Sequence, residues 1–350
     1  MSIRYGGWIY LFCFSFVSGL AQQNTPADRR ITLDVVVRDK SGKPLAGLQE
    51  QDFTLLDNKL PQKIVSFRAI EGGAAAADPP VEVILLVDEV NTSFTGVSVE
   101  RQQIEGFLRQ NGGELARPVS LAFFTDSGLA FGSASSRDGN ALAADLNQKQ
   151  SALRTITRSQ GFYGADDRLQ LSLQTLSQLA GEESTRPGRK LVVWVSPGWP
   201  LLSGPDVQLS SKNQQRLFSS IVAVSDGLRR ARITLYDVDP LGMSDAGGFR
   251  TEDYKQFLKG VKSARQVQLG DLALQVLADQ SGGRVLNSNN DVADEIATCV
   301  NDASAFYVLT FDGLPGDGPN EYHALEVKID KPGLTAHTRT GYYAQPEQVH

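Results

Sequence analysis

The sequence predicts an α/β fold: a doubly wound, mostly parallel sheet inserted in, or flanked by, a small β-sandwich module. Three observations predict it. Continuous apolar runs such as "VEVILLV" (81–87), "RPVSLAFFT" (117–125) and "KLVVWVS" (190–196) have the texture of strands buried on both faces. Segments with helical spacing of apolar residues alternate with those runs, the pattern that lays helices over both faces of a parallel sheet. At both ends of the chain the pattern changes to period-two alternation broken by Gly, Pro, Asn and Asp, which reads as β-structure with tight turns.

The elements follow in order. Arg4, the apolar run "WIYLFCFSFV" and small residues at Gly19 and Ala21 form a secretory signal peptide over 1–21, with cleavage after Ala21. That run is too short for a comfortable membrane span, so no integral span is expected after cleavage. Residues 22–80 are an N-terminal β-rich segment ending in the linker "EGGAAAADPP" (71–80). The main domain is expected over 81–304. Its helices show Ile104, Phe107 and Leu108 on one face of "ERQQIEGFLRQ", and Leu169, Leu173 and Leu176 on one face of "DDRLQLSLQTLSQLA", capped by Asp166 or Asp167. "RITLYDV" (232–238) gives a fourth strand, and "DVADEIATCVNDA" a helix with Cys299 buried beside Val292, Ile296 and Val300. Residues 305–350 revert to alternating strands. They are expected to pack with the N-terminal segment, because neither flank alone can bury a sufficient core.

Composition excludes several functions. The formal charge is −6 with no dense Lys/Arg run, which argues against nucleic-acid binding. The histidines are His323, His337 and His350, so a His-based zinc site or a Ser-His-Asp triad in the main domain is close to excluded. Signal cleavage removes Cys13 and leaves Cys299 without a disulfide partner in the chain. No Walker loop, nucleophile elbow or dinucleotide glycine fingerprint is present. The chain is not expected to be an enzyme.

The order of "DVVVRDKSGKPLAGLQEQDFTLLDN", "VILLVDEVNT", "VVWVSPG", "LADQSGGRVL" and "RTGYYA" resembles the VWFA-related family of secreted bacterial proteins. Residues 81–304 look like a von Willebrand factor type A domain, a Rossmann-like fold. That resemblance implies a metal-ion-dependent adhesion site of pattern Asp-x-Ser-x-Ser, joined by a Thr and an Asp from two further loops. Asp88 matches the first position and Thr92 the third, whereas Val90 stands at the second. Tyr163 and Gly164 lie where the Thr is expected, and Ser196 where the Asp is expected. Mg²⁺ requires about six hard oxygens, so the site is degenerate. The expected cofactor set is none, with Mg²⁺ on Asp88 and Thr92 as the one metal to test.

Three readings of Asp88, Asn91 and Thr92 stay open: turn and helix-cap hydrogen bonds, a metal site, or a metal-free recognition surface. Trp199 in "SPGWP" either lies exposed beside the strand ends as a contact residue or packs on its loop. "DVDP" (237–240) reads as a solvated loop, and Asp126 with Ser127 as a hairpin turn. The expected function is a secreted or periplasmic protein-binding module, with Asp88, Asn91, Thr92, Ser196 and Trp199 as candidate ligand-binding residues. The alternative is a structural scaffold of the cell envelope without a ligand site.

Overall fold

The structure is a computed structural model that describes residues 29–71, 81–92, 94–149, 162–199, 209–240, 254–287 and 291–347. The expected signal peptide and most of the linker lie outside the described residues. The N-terminal segment folds as β1 (Arg30–Arg38), β2 (Phe53–Asp57), β3 (Leu60–Gln62) and β4 (Ser66–Glu71). The middle runs β5 (Glu82–Asp88), α1 (Phe94–Leu108), β6 (Glu114–Thr125), β7 (Gly128–Phe131), β8 (Ser136–Asp138), α2 (Gly139–Gln148) and α3 (Phe162–Glu183). It continues with β9 (Lys190–Val195), α4 (Ser211–Arg230), β10 (Ile233–Val238), α5 (Leu274–Gln280), β11 (Val285–Leu286) and α6 (Val292–Asn301). The chain closes with β12 (Ala305–Asp312), β13 (Glu321–Ile329), β14 (Thr335–His337) and β15 (Gly341–Ala344).

The strand pairings correct the fold class read from the sequence. The strands divide among three sheets, ordered β14-β1-β12-β4, β11-β10-β9-β5-β6-β7 with β8 also on β6, and β15-β13-β2-β3. Four pairings are parallel: β5 with β6, β5 with β9, β9 with β10, and β10 with β11. The other eight are antiparallel, including both partners that β6 takes at the edge of the central sheet. The chain is therefore a mixed, largely antiparallel assembly with one partly parallel sheet, not a doubly wound, mostly parallel one. The physical reason is local. Asp126 and Ser127 make a tight turn that returns β7 directly on β6, and a two-residue connection permits only an antiparallel neighbour.

Three cores hold these layers. On one face of the central sheet Ile84, Leu86, Val192 and Trp194 pack with residues of α3, α4 and α5. On the other face Val83, Leu85, Val87 and Val193 pack with α1, α2 and α6, and Cys299 is buried in this layer. The period-two division of each strand between two apolar layers is why the runs look continuous in sequence. The third core joins Leu33, Val35 and Leu55 to Leu309, Phe311 and Leu325, drawing on both ends of the chain. A buried polar group sits in it. Asp57 contacts His323 Nδ1 at 2.9 Å and accepts a 2.6 Å bond from the Tyr342 hydroxyl.

Helix starts follow the sequence where a short polar side chain is available. Asp138, Ser210 and Asp291 accept from backbone N–H groups at the starts of α2, α4 and α6. Asp166 and Asp167 do not cap α3, which already begins at Phe162 and carries them in its interior.

Deleting residues 22–75 would remove β1 to β4, leaving β12 and β13 without their N-terminal partners. The truncated chain is expected to aggregate on size-exclusion chromatography, because unpaired edges and apolar faces are then exposed. A monomeric product with 321–344 fully protected from hydrogen exchange would show that the two ends do not depend on one another.

Candidate functional site

The parallel strands β5, β9 and β10 end in register, with Val87 opposite Val195 and Val195 opposite Val238. From β5 the chain moves by α1 to β6 on one side, and later returns to β9 on the other. Ligands of open sheets with parallel strands bind beyond the strand ends at such a reversal. Asp88 stands there.

Its carboxylate is fully engaged. Oδ1 accepts from the backbone N–H of Val90 (2.9 Å) and of Asn91 (2.8 Å). Oδ2 accepts from Asn91 Nδ2 (2.9 Å), Trp194 Nε1 (3.0 Å) and the Ser196 hydroxyl (2.8 Å). A carboxylate offers about four lone-pair positions, and five donors converge on this one. Asp88 thus ties the turn after β5 to the end of β9. Its own N–H donates to Glu100 Oε1 at 2.7 Å, which adds α1 to the joint.

The neighbours complete the arrangement. Asn91 Nδ2 also donates to the Ser172 hydroxyl (3.0 Å), which donates to the Arg168 carbonyl one turn back on α3. Ser196 Oγ accepts from the Gly198 N–H at 3.0 Å. Thr92 is buried beside this turn. The donor set does not fit Mg²⁺. The Asp88 oxygens are occupied by protein donors, the Ser196 proton points to Asp88, and Val90 is buried in the apolar layer against α3. Among the described residues, no three His, Cys, Asp or Glu side chains are grouped to hold a metal ion. Gly164 is buried near the start of α3; the side chain of Tyr163 lies outside the described residues.

One open alternative is decided here, and one reading is corrected. Trp199 is 3% exposed, and its indole N–H donates to the Leu272 carbonyl at 2.5 Å. Its ring meets that of Trp194 at 5.1 Å and 73°. The loop reaches inward because Gly198 adopts φ +83°, a left-handed conformation with the Gln275 side chain packed where a Cβ would sit. Asp237, read as solvated, is buried on β10. Burial above all, then the charge of Asp239, pushes its carboxyl well above the usual range.

Glu100 was not legible as a site residue, yet it is buried, and desolvation first and the Asp88 charge second push its carboxyl well up. The signal was present: position 100 shares the helical stripe of Val97, Ile104 and Leu108, where a carboxylic acid is out of place. Glu89 is buried as well, and it is compensated by an ion pair with Arg101 at 2.6 Å.

No family model matches the chain, and no curated protein matches it. Among solved structures it is similar to a pilus adhesin, SpaC from Lactobacillus rhamnosus GG, at 10% identity and a TM-score of 0.37. The match covers 86% of this chain and 43% of the adhesin, so the chain spans less than half of that protein. A likeness at that score carries no functional weight. Among the described residues, no helix is long and apolar enough to cross a membrane.

Asp88→Ala is expected to destabilise the protein by about 3 kcal/mol, because it strands several buried donors at once. Millimolar Mg²⁺ should leave the melting temperature of the unaltered protein unchanged, since only a ligand of the native state raises it. A Mg²⁺-dependent rise that Asp88→Ala abolishes would reverse the conclusion that these side chains do not fit the ion.

Glu100 gives a pH test. Its folded pKa is raised, so its contribution is fully present below the unfolded carboxylate value and is lost as pH rises through the folded one. Glu100→Gln keeps an acceptor for the Asp88 N–H and removes the titration. The variant is expected to gain melting temperature over the parent at pH 8 and to show little gain at pH 4; an equal difference at both would remove the assignment.

Proposed function

We propose that the protein is a non-catalytic recognition module of the cell exterior or periplasm. It engages a protein partner at the ends of β5, β9 and β10 without a metal ion. The observation that carries this reading is a pair of buried polar atoms there with no hydrogen-bond partner among the described residues, the amide oxygen Asn91 Oδ1 and the carboxyl oxygen Asp237 Oδ1. Buried polar atoms without partners are scarce in folded proteins, and at a strand-end reversal they favour a ligand that brings hydrogen-bonding groups, a donor for Asn91 Oδ1 among them. Amide or cationic side chains of a partner have that chemistry. The leader sequence at 1–21 and the resemblance to secreted VWFA-related proteins support the location.

A second reading has its own observation. Trp199 is packed inside instead of standing at the rim, which favours a structural component of the envelope with no ligand at this end.

The two readings separate by site-specific photocrosslinking in the native envelope. A photoreactive residue replacing Asn91 is expected to give a discrete adduct with one protein. The same group replacing Arg109, exposed beyond the other end of α1, should give none. Adducts of equal yield from both positions, or from neither, would discard the recognition reading in favour of the scaffold.

A further inference from the structure

A second polar site lies away from the strand ends, where α4, the start of β10, β1 and the segment between β14 and β15 meet. A cleft of about 20 Å³ opens there, lined by Asp34, Arg229, Arg232, Thr338 and Arg339 among others. A space of roughly 10–15 Å³ on this measure holds one water molecule, so the cleft takes a single small occupant.

The three guanidinium groups differ in how they are compensated. Arg232 is held by both oxygens of Asp34. Arg229 reaches Asp226 at 3.5 Å, a carboxylate it shares with Arg230 at 3.8 Å. Arg339 is 8% exposed and donates to the Ser225 carbonyl at 3.3 Å; among the described residues no carboxylate lies in ion-pair range of it. Two further donors in the cleft, Arg229 Nε and the Thr338 hydroxyl, are buried without a partner among the described residues. Burial first, then the Arg229 charge, pulls the Arg339 pKa down to about 10, still well above neutral pH. Arg339 therefore stays a cation there. Asp226 and Asp34 favour its charge from beyond contact range, each already paired with another arginine. A buried cation whose one hydrogen-bond partner among the described residues is a neutral carbonyl is not tolerated cheaply.

We propose that this cleft binds a small monovalent anion of the halide class, held by Arg339, Arg229 and the Thr338 hydroxyl. The anion supplies the missing negative charge and accepts from donors that no protein group satisfies. Because Arg229 stands on α4 while Thr338 and Arg339 lie between β14 and β15, the bound ion clips the C-terminal strands onto α4. This site is independent of the recognition reading for the strand ends.

The test compares melting temperatures in sodium chloride and in sodium gluconate at equal ionic strength, so that general charge screening is the same in both. Chloride is expected to raise the melting temperature by several degrees in a saturable way, as a native-state ligand must. Arg339→Met removes the uncompensated charge while keeping a long apolar stem, and should abolish the difference between the two salts. Arg229→Gln provides a second variant if the first fails to fold, and should weaken the chloride response. Crystals grown in bromide should show an anomalous peak between Arg229 and Arg339, in contact with their guanidinium nitrogens. Coincident melting curves in the two salts with no bromide peak would overturn the proposal. A response to phosphate or sulfate without one to chloride would overturn it as well.

Discussion

The pairing of β12 is the constraint on which the rest of the structure depends. This strand leaves α6 and runs between β1 on one edge and β4 on the other, in continuous antiparallel register from Ala305 to Asp312. Strands from the beginning of the chain are thereby fixed to the end of the segment that builds the central sheet. Val36 and Val37 show the consequence, since neighbouring residues of one strand enter two different cores. Once β12 is bound on both edges, the central sheet is anchored at its entry and at its exit. The cost is a long loop closure before most contacts can form, which favours slow folding and exposes edges meanwhile.

Within that frame, a polar residue inside an apolar stretch has a traceable use. Asp88 gathers five donors from the turn after β5, from Trp194 and from Ser196, so removing its solvation is compensated bond by bond. Glu100 and Asp237 are held differently. Each is buried among other acids, and each is driven toward its neutral form, which lowers the repulsion that three ionised carboxylates would create. The strand ends are therefore less negative than their sequence suggests.

Much of this was legible in the residues and some was not. Runs such as "VEVILLV" and "KLVVWVS" mark strands because both faces are apolar, and Asp88 stands out because its run stops there. Partner direction is another matter. An apolar run carries no record of whether its neighbour is parallel or antiparallel, so the weight of antiparallel pairing was not readable from those runs, although both flanks were read as β-structure and Asp126 with Ser127 as a hairpin turn. Trp199 between Gly198 and Pro200 reads equally as a rim residue or as one packed on its loop, and the Leu272 carbonyl that accepts from its indole decides for packing. That carbonyl lies 73 positions away along the chain, beyond the reach of any local pattern. Asp237 was missed for the same reason, because its burial is created by α5 and Gln275.

The charges of the central sheet are also ordered along its strands, and that order explains why acids at one end need not signify a metal. At the start of β9, Lys190 donates to the Glu183 carbonyl at 2.8 Å and the Ala231 carbonyl at 3.2 Å, closing the C-terminal ends of α3 and α4. Arg189 does the same for α6 through the Asp302 carbonyl at 3.0 Å. Cations at helix C-termini and carboxylates near helix N-termini both match the helix dipole. Asp88 lies at the opposite end, six residues before α1 begins, in the complementary position. The polarity of the sheet is thus set by helix ends.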